Sequence, residues 1–129
     1  MFAGEGSPQL NTQRVYEAAP GRVWVGYKLN SDGDPMITHS KIMIVDDVYA
    51  MVGSANFSNR SMKTDDEELG IAWLDHSGKA AGDLRKSLWA EHLRLDSHEL
   101  QSLNKPTGRE LFGVWKSAQS HLEEWDLST

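Results

Sequence analysis

Apolar and polar positions alternate along the first half of the chain and then give way to helical spacing. Val23, Val25 and Tyr27 alternate with Trp24, Gly26 and Lys28, the period of a strand. Asn30-Ser31-Asp32-Gly33-Asp34-Pro35 is dense in turn-forming residues. Met36 to Val45 is the next predicted strand. It carries Ile37, Ile42, Ile44 and Val45 with little polar interruption after Lys41, a run suited to a strand covered on both faces. Asp46-Asp47 predicts a tight turn and Val48 to Val52 a returning strand, so the pair reads as a hairpin. Leu69, Ile71, Trp73 and Leu74, around Gly70 and Ala72, predict a further short strand, closed by a turn at Asp75-His76-Ser77-Gly78.

Helical spacing follows. Ala81, Leu84 and Leu88 fall on one helical face. Lys105-Pro106-Thr107-Gly108 breaks the chain, and Thr107 with Glu110 has the spacing of a capping box. Leu111, Trp115, Ala118, Leu122 and Trp125 then predict one helical stripe to the C-terminus. Residues 1 to about 20, punctuated by Gly4, Gly6, Pro8, Pro20 and Gly21, read as loop or short helix. Strands first and helices afterwards predict α/β or α+β layering; the class expected is α/β, a mixed sheet flanked by helices. A length of 129 residues fits one domain.

Composition sharpens this picture in three places. Cysteine is absent, which removes disulfides and thiolate chemistry. The formal charge of −6 argues against binding nucleic acid across the whole surface, which needs clustered Lys and Arg, but leaves room for a local basic site. No run approaches the roughly 18–20 apolar residues of a membrane span, and Met1 to Ser7 lack the basic and apolar regions of a signal peptide.

The chemistry concentrates in His39-Ser40-Lys41-Ile42-Met43-Ile44-Val45-Asp46, followed six residues later by Gly53-Ser54-Ala55-Asn56: H-x-K-x4-D-x6-G-S-x-N. On a strand His39 and Lys41 leave the same face. Imidazole is suited to proton transfer or nucleophilic attack near neutral pH. A neighbouring ammonium attracts an anion, and a phosphate oxyanion fits such a site. The hairpin returns the Ser54 hydroxyl and the Asn56 amide toward the same place as further donors. No second histidine lies at ligand spacing and no paired carboxylates accompany His39, so neither metal nor cofactor is expected. Asp46, at an odd offset from His39, faces the other way and reads as a structural residue that orients the hairpin or a positive group.

This segment resembles the H-K-D motif of the phospholipase D superfamily, as His39, Lys41 and Asp46 with Gly53, Ser54 and Asn56. Six fixed positions coincide by chance on the order of once in 10⁸ windows at average residue usage. Phe57-Ser58-Asn59-Arg60-Ser61-Met62 resembles the N-x-R-S-M tail of phospholipid-cleaving members, which makes Arg60 a candidate for headgroup phosphate. Glu67 falls 28 residues after His39, where the family usually places a glutamate that supports the catalytic histidine; Glu68 is its rival. Leu84 to Leu93 is similar to a helix late in eukaryotic-type members. The resemblance covers about residues 20–95 and leaves 96–129 as a helical extension.

The resemblance implies a phospholipase D-like half-domain, similar to the C-terminal half of a eukaryotic-type enzyme. In this family two motifs meet at one site. One histidine forms a phosphohistidine, while the other protonates the leaving alcohol and then activates water or an acceptor alcohol. The chain holds one motif, so the implied partner is a second H-K-D half, either in a longer parent chain or in a homodimer. The implied substrate is a phospholipid headgroup phosphodiester, with contact at a membrane surface. A homodimeric endonuclease, with nucleic acid the less favoured substrate, and a non-catalytic half inactive alone are the alternatives.

Overall fold

A computed structural model describes residues 8–56, 58–63, 67–104, 108–117 and 121–125. The elements run α1 (Pro8–Ala18), β1 (Gly26–Lys28), β2 (Lys41–Val45), β3 (Tyr49–Gly53), α2 (Asn59–Lys63), β4 (Gly70–Leu74), α3 (Lys79–Leu93), a 3₁₀ segment (Glu99–Leu103), α4 (Gly108–Ser117) and β5 (Leu122–Glu124). The class is mixed α/β, with small sheets and helices.

The central element is an antiparallel sheet in the order β2-β3-β4. Its hairpin closes where the paired aspartates predict it. Asp46 and Asp47 both adopt left-handed backbone, at φ 52° and 58°, and the Val48 N–H donates to the Val45 carbonyl at 3.0 Å. Two successive left-handed residues give the turn whose twist matches the flanking strands, and Asp tolerates that conformation better than most residues.

Three boundaries differ from the sequence prediction. The strand expected from Met36 begins only at Lys41. Beyond Lys41 the neighbouring strand has ended, and residues 31–40 are exposed, Ile37 by 95%. The first strand shortens to Gly26–Lys28. The predicted C-terminal helix stops at Ser117, and Leu122–Glu124 instead pairs antiparallel with β1, Gly26 opposite Glu124 and Lys28 opposite Leu122. The i, i+3, i+4 spacing of Leu122 and Trp125 loses to that non-local ladder, which buries Leu122 and leaves Trp125 exposed. Ala118 and Thr107, and with Thr107 the expected capping box, lie outside the described residues.

Packing is concentrated on α3. Ala81, Leu93 and Leu103 are buried, Leu103 completely. Trp115 of α4 meets Trp24 edge-on at 5.3 Å between centroids and Trp89 at 4.8 Å, the offset geometry that aromatic quadrupoles favour. Arg85 is 8% exposed and pairs with Asp47 at the hairpin tip. Gly82 makes room for that pair, since a Cβ there would sit 3.3 Å from the Asp47 carboxylate.

The sheet is less well covered than its apolar composition predicts. Cross-strand partners share a face, so Ile42, Val52 and Ile71 form one row and Met43, Met51 and Ala72 a row on the opposite face. Ala50 is fully buried, but Ile42, Val52, Met43, Val45 and Leu74 are exposed, and Ile71 is 66% exposed. Among the described residues no strand pairs with the outer edge of β2 or β4, and no helix is long and apolar enough to cross a membrane.

Candidate active site

The site lies at the open end of the hairpin, away from the aspartate turn. Register sets it up. Lys41 stands opposite Gly53, and Gly53 opposite Gly70. The two glycines leave the space beside the Lys41 side chain unfilled, and at Gly53 an added Cβ would come within 3.3 Å of the Leu69 carbonyl. Lys41 Nζ folds back to donate to the carbonyl of His39 at 2.5 Å, so the ammonium and the residue bearing the imidazole adjoin. His39 itself is exposed.

Ser54 continues the β3–β4 pairing one residue past the strands. Its N–H donates to the Leu69 carbonyl at 2.9 Å, and its hydroxyl accepts from the Leu69 N–H at 2.9 Å. The same hydroxyl donates to Glu68 Oε2 at 2.5 Å. Asn56 is exposed, and its carbonyl accepts from the Ser58 N–H at 2.7 Å. That bond leads into α2, whose first turn is held by Ser58: its carbonyl accepts from Met62 at 3.0 Å and its hydroxyl from Ser61 at 3.5 Å. Arg60 on this helix is exposed.

Glu68 is the electrostatic centre of the cluster. The Ser54 hydroxyl, then the Ser61 hydroxyl, hold its carboxyl below the usual glutamate range, and the positive charges of Lys41 and Arg60 act in the same direction. Glu67 has no comparable surroundings; none of the hydrogen bonds or ion pairs among the described residues involves it. Parity explains the difference. The β3–β4 ladder ends at Gly53–Gly70; counted outward from it, Glu68 is in phase with Gly53 and Lys41 and Glu67 is not. The primary sequence alone gives two adjacent acids; only the Gly53–Gly70 register and the Ser54–Glu68 bond separate them.

Asp46 is exposed at the turn, and its carboxylate engages no group among the described residues. The carboxylate that orients a positive group is that of Asp47, next in sequence, through Arg85. Thus the structure brings Lys41, Ser54 and Arg60 to Glu68, with the His39 carbonyl on Lys41 and Asn56 two residues after Ser54, and leaves Asp46 at the far end of the hairpin. Among the described residues no cluster of three or more His, Asp or Glu side chains is arranged to hold a metal ion. An open cleft of about 440 Å³, lined by Arg22, Val23, Trp24, Trp89, Phe112 and Trp115, shares no residue with this site.

Comparison with known proteins gives one consistent answer. The family model described as Phospholipase D matches residues 28–127. The chain belongs to the phospholipase D family. It is 40% identical over 98 residues to "Phospholipase D zeta 1" of Arabidopsis thaliana, a match covering 61% of this chain and 9% of that protein. It is 31% identical over 122 residues to "Phospholipase D B" of Dictyostelium discoideum, covering 83% of this chain and 9% of the relative. With "Phospholipase D alpha 2" of Brassica oleracea var. capitata it shares 38% identity over 104 residues, 69% of this chain and 13% of the other. The chain therefore spans about a tenth of the length of these phospholipase D relatives. No solved structure matches it significantly.

Proposed function

We propose that this chain supplies one H-K-D half of a phospholipase D-type phosphodiesterase acting on a phospholipid headgroup, with His39 as its acid–base residue. The observation that supports the reading is the Lys41–Gly53–Gly70 register, since a cation, a hydroxyl and a carboxylate follow at the end of the sheet where the chain enters from His39. Lys41, Asn56 and Arg60 hold the phosphate oxygens as cationic and amide donors.

Glu68, rather than Glu67, supports His39 in this reading. Two residues outward from Lys41, Gly53 and Gly70, the register count reaches His39, Ala55 and Glu68. The small methyl of Ala55 between them lets an imidazole and a carboxylate reach across about two strand spacings of about 4.8 Å. A carboxylate accepting from one imidazole nitrogen fixes the ring and raises its basicity.

The chemistry takes two displacements. The imidazole of a second motif attacks phosphorus and forms a P–N bond while the headgroup alcohol leaves, taking its proton from His39. His39 then removes a proton from water, which attacks the phosphohistidine, breaks the P–N bond and releases the phosphate monoester. An acceptor alcohol in place of water gives phosphatidyl transfer. The second half is required for the attacking histidine. The exposed apolar rows of the β2-β3-β4 sheet, and its edges unpaired among the described residues, favour a chain that packs against more protein.

The test combines this chain with a half carrying the second H-x-K motif and measures choline release from phosphatidylcholine vesicles, beside cleavage of plasmid DNA. Choline release that needs both halves supports the reading. DNA cleavage without choline release overturns the lipid assignment, and neither activity from a folded pair overturns the enzyme assignment.

A further inference from the structure

The Ser54 hydroxyl has one proton to give and two lone pairs. Its proton goes to Glu68 Oε2 at 2.5 Å, and one lone pair takes the Leu69 N–H at 2.9 Å. The Leu69 carbonyl lies 3.3 Å from the same oxygen, so even a rotated O–H meets a second protein acceptor. What remains facing outward is a lone pair, which repels a phosphate oxygen. Ser61, one turn into α2, is half-buried, and its hydroxyl adds to that of Ser54 in holding the carboxyl below the usual glutamate range.

We propose that Ser54 and Ser61 form a hydroxyl clamp that positions Glu68, so that Ser54 is a positioning residue and not a phosphate ligand. The inference rests on the reading of Glu68 given above and deepens it. Clamping matters because the carboxylate otherwise has two cations to follow, Lys41 from β2 and Arg60 from α2. A glutamate drawn onto either would neutralise a phosphate-binding charge and abandon His39. Two neutral donors hold the carboxylate without consuming a cation. They also tie the start of β4 to α2, so the acid keeps its place when phosphate enters and attracts Lys41 away.

The experiment follows the Glu68 side-chain carboxyl by ¹³C NMR against pH in the isolated chain, and titrates each variant with inorganic phosphate. Ser54→Ala is expected to move the Glu68 midpoint upward, toward the ordinary 4.5, and to leave phosphate affinity unchanged. Ser61→Ala moves the midpoint the same way, and Ser54→Thr, which keeps the hydroxyl, restores it. Asn56→Ala is the contrasting variant: it weakens phosphate binding and leaves Glu68 alone. An unmoved Glu68 midpoint in Ser54→Ala, with weakened phosphate binding, overturns the clamp. Should Ser54→Ala fail to fold, Ser61→Ala and Ser54→Thr decide by the same readout. If the two-half protein cleaves no phosphodiester, the functional reading fails, while the Glu68 titration still decides the clamp.

Discussion

The Asp47 carboxylate grips the Arg85 guanidinium side-on, Oδ1 to Nε at 2.7 Å and Oδ2 to Nη2 at 2.9 Å. Nη2 also donates to the Leu103 carbonyl at 3.3 Å, and the guanidinium lies over the Trp89 ring at 5.3 Å. One side chain thereby ties the tip of the β2–β3 hairpin to α3 and to the 3₁₀ segment. The hairpin is anchored at its turn, and its other end begins at Lys41, two residues after His39.

Removing one partner of this pair should cost more than the pair itself contributes. Asp47→Ala leaves a guanidinium that is nearly buried and whose Nη1 already lacks a partner among the described residues. A stability loss of about 3 kcal/mol is expected, read from the urea midpoint. Arg85→Met, which removes the buried charge and keeps the apolar stem over Trp89, should cost less than Asp47→Ala. The reverse order would show that the pair does not anchor the hairpin.

Gly82→Ala tests the same anchor by steric means. On helix propensity alone the change should stabilise α3 by up to about 1 kcal/mol. The new Cβ would stand 3.3 Å from Asp47 Cγ and Oδ2, and Arg85 prevents that carboxylate from moving aside. The expected net result is destabilisation of about 1 kcal/mol, and in an Asp47→Ala background the sign should turn to stabilising. Thermal unfolding of the two single variants and the double variant checks it.

The contrast between these residues and the C-terminal strand explains what was legible in the sequence. The hairpin is encoded locally: alternating apolar residues on each side of two aspartates fix turn, register and the approach of Ser54 to Lys41. β5 is not, because its partner Gly26–Lys28 lies nearly a hundred residues earlier and the Leu111, Trp115, Leu122, Trp125 spacing satisfies a helix equally well. The choice between Glu67 and Glu68 is not legible in the sequence for a related reason. It depends on which residue of β4 faces Lys41, and that parity exists only once β3 and β4 are paired. The motif residues were legible because their types and spacing are themselves the signal. Asp46 is legible as a turn residue, whereas the pairing of Asp47 with Arg85, 38 positions away, is not.

Acid should weaken the fold through identifiable carboxylates. Asp75 accepts from the Ser77 hydroxyl at 2.6 Å and from the Ala80 N–H at 2.5 Å at the start of α3, and these bonds, the hydroxyl first, hold its carboxyl below 3.8. Glu68 is likewise held below 4.5, chiefly by Ser54. Both folded values are depressed, so each contribution is complete above the unfolded pKa and is lost as pH falls through the folded one. Asp75→Ala should therefore unfold at a lower temperature than wild type at neutral pH, with the gap narrowing as pH falls below 3.8. An equal gap at both pH values would remove Asp75 from the acid response.

The decisive comparison for the site is between the two adjacent acids in the two-half protein. Glu68→Gln keeps the shape but loses the charge that would orient and support His39, and a fall in kcat of about tenfold to a hundredfold is expected with KM little changed. Glu67→Gln, on the opposite face, should leave both constants in place. His39→Ala should reduce choline release by about a thousandfold, the scale of a lost acid–base group, and Glu68→Gln should add little in that background because the carboxylate acts through the imidazole. If Glu67→Gln is the damaging change, the register Gly53–Gly70 does not persist in the assembled enzyme. If the losses from His39 and Glu68 simply multiply, the carboxylate acts on the phosphate cations instead of on His39.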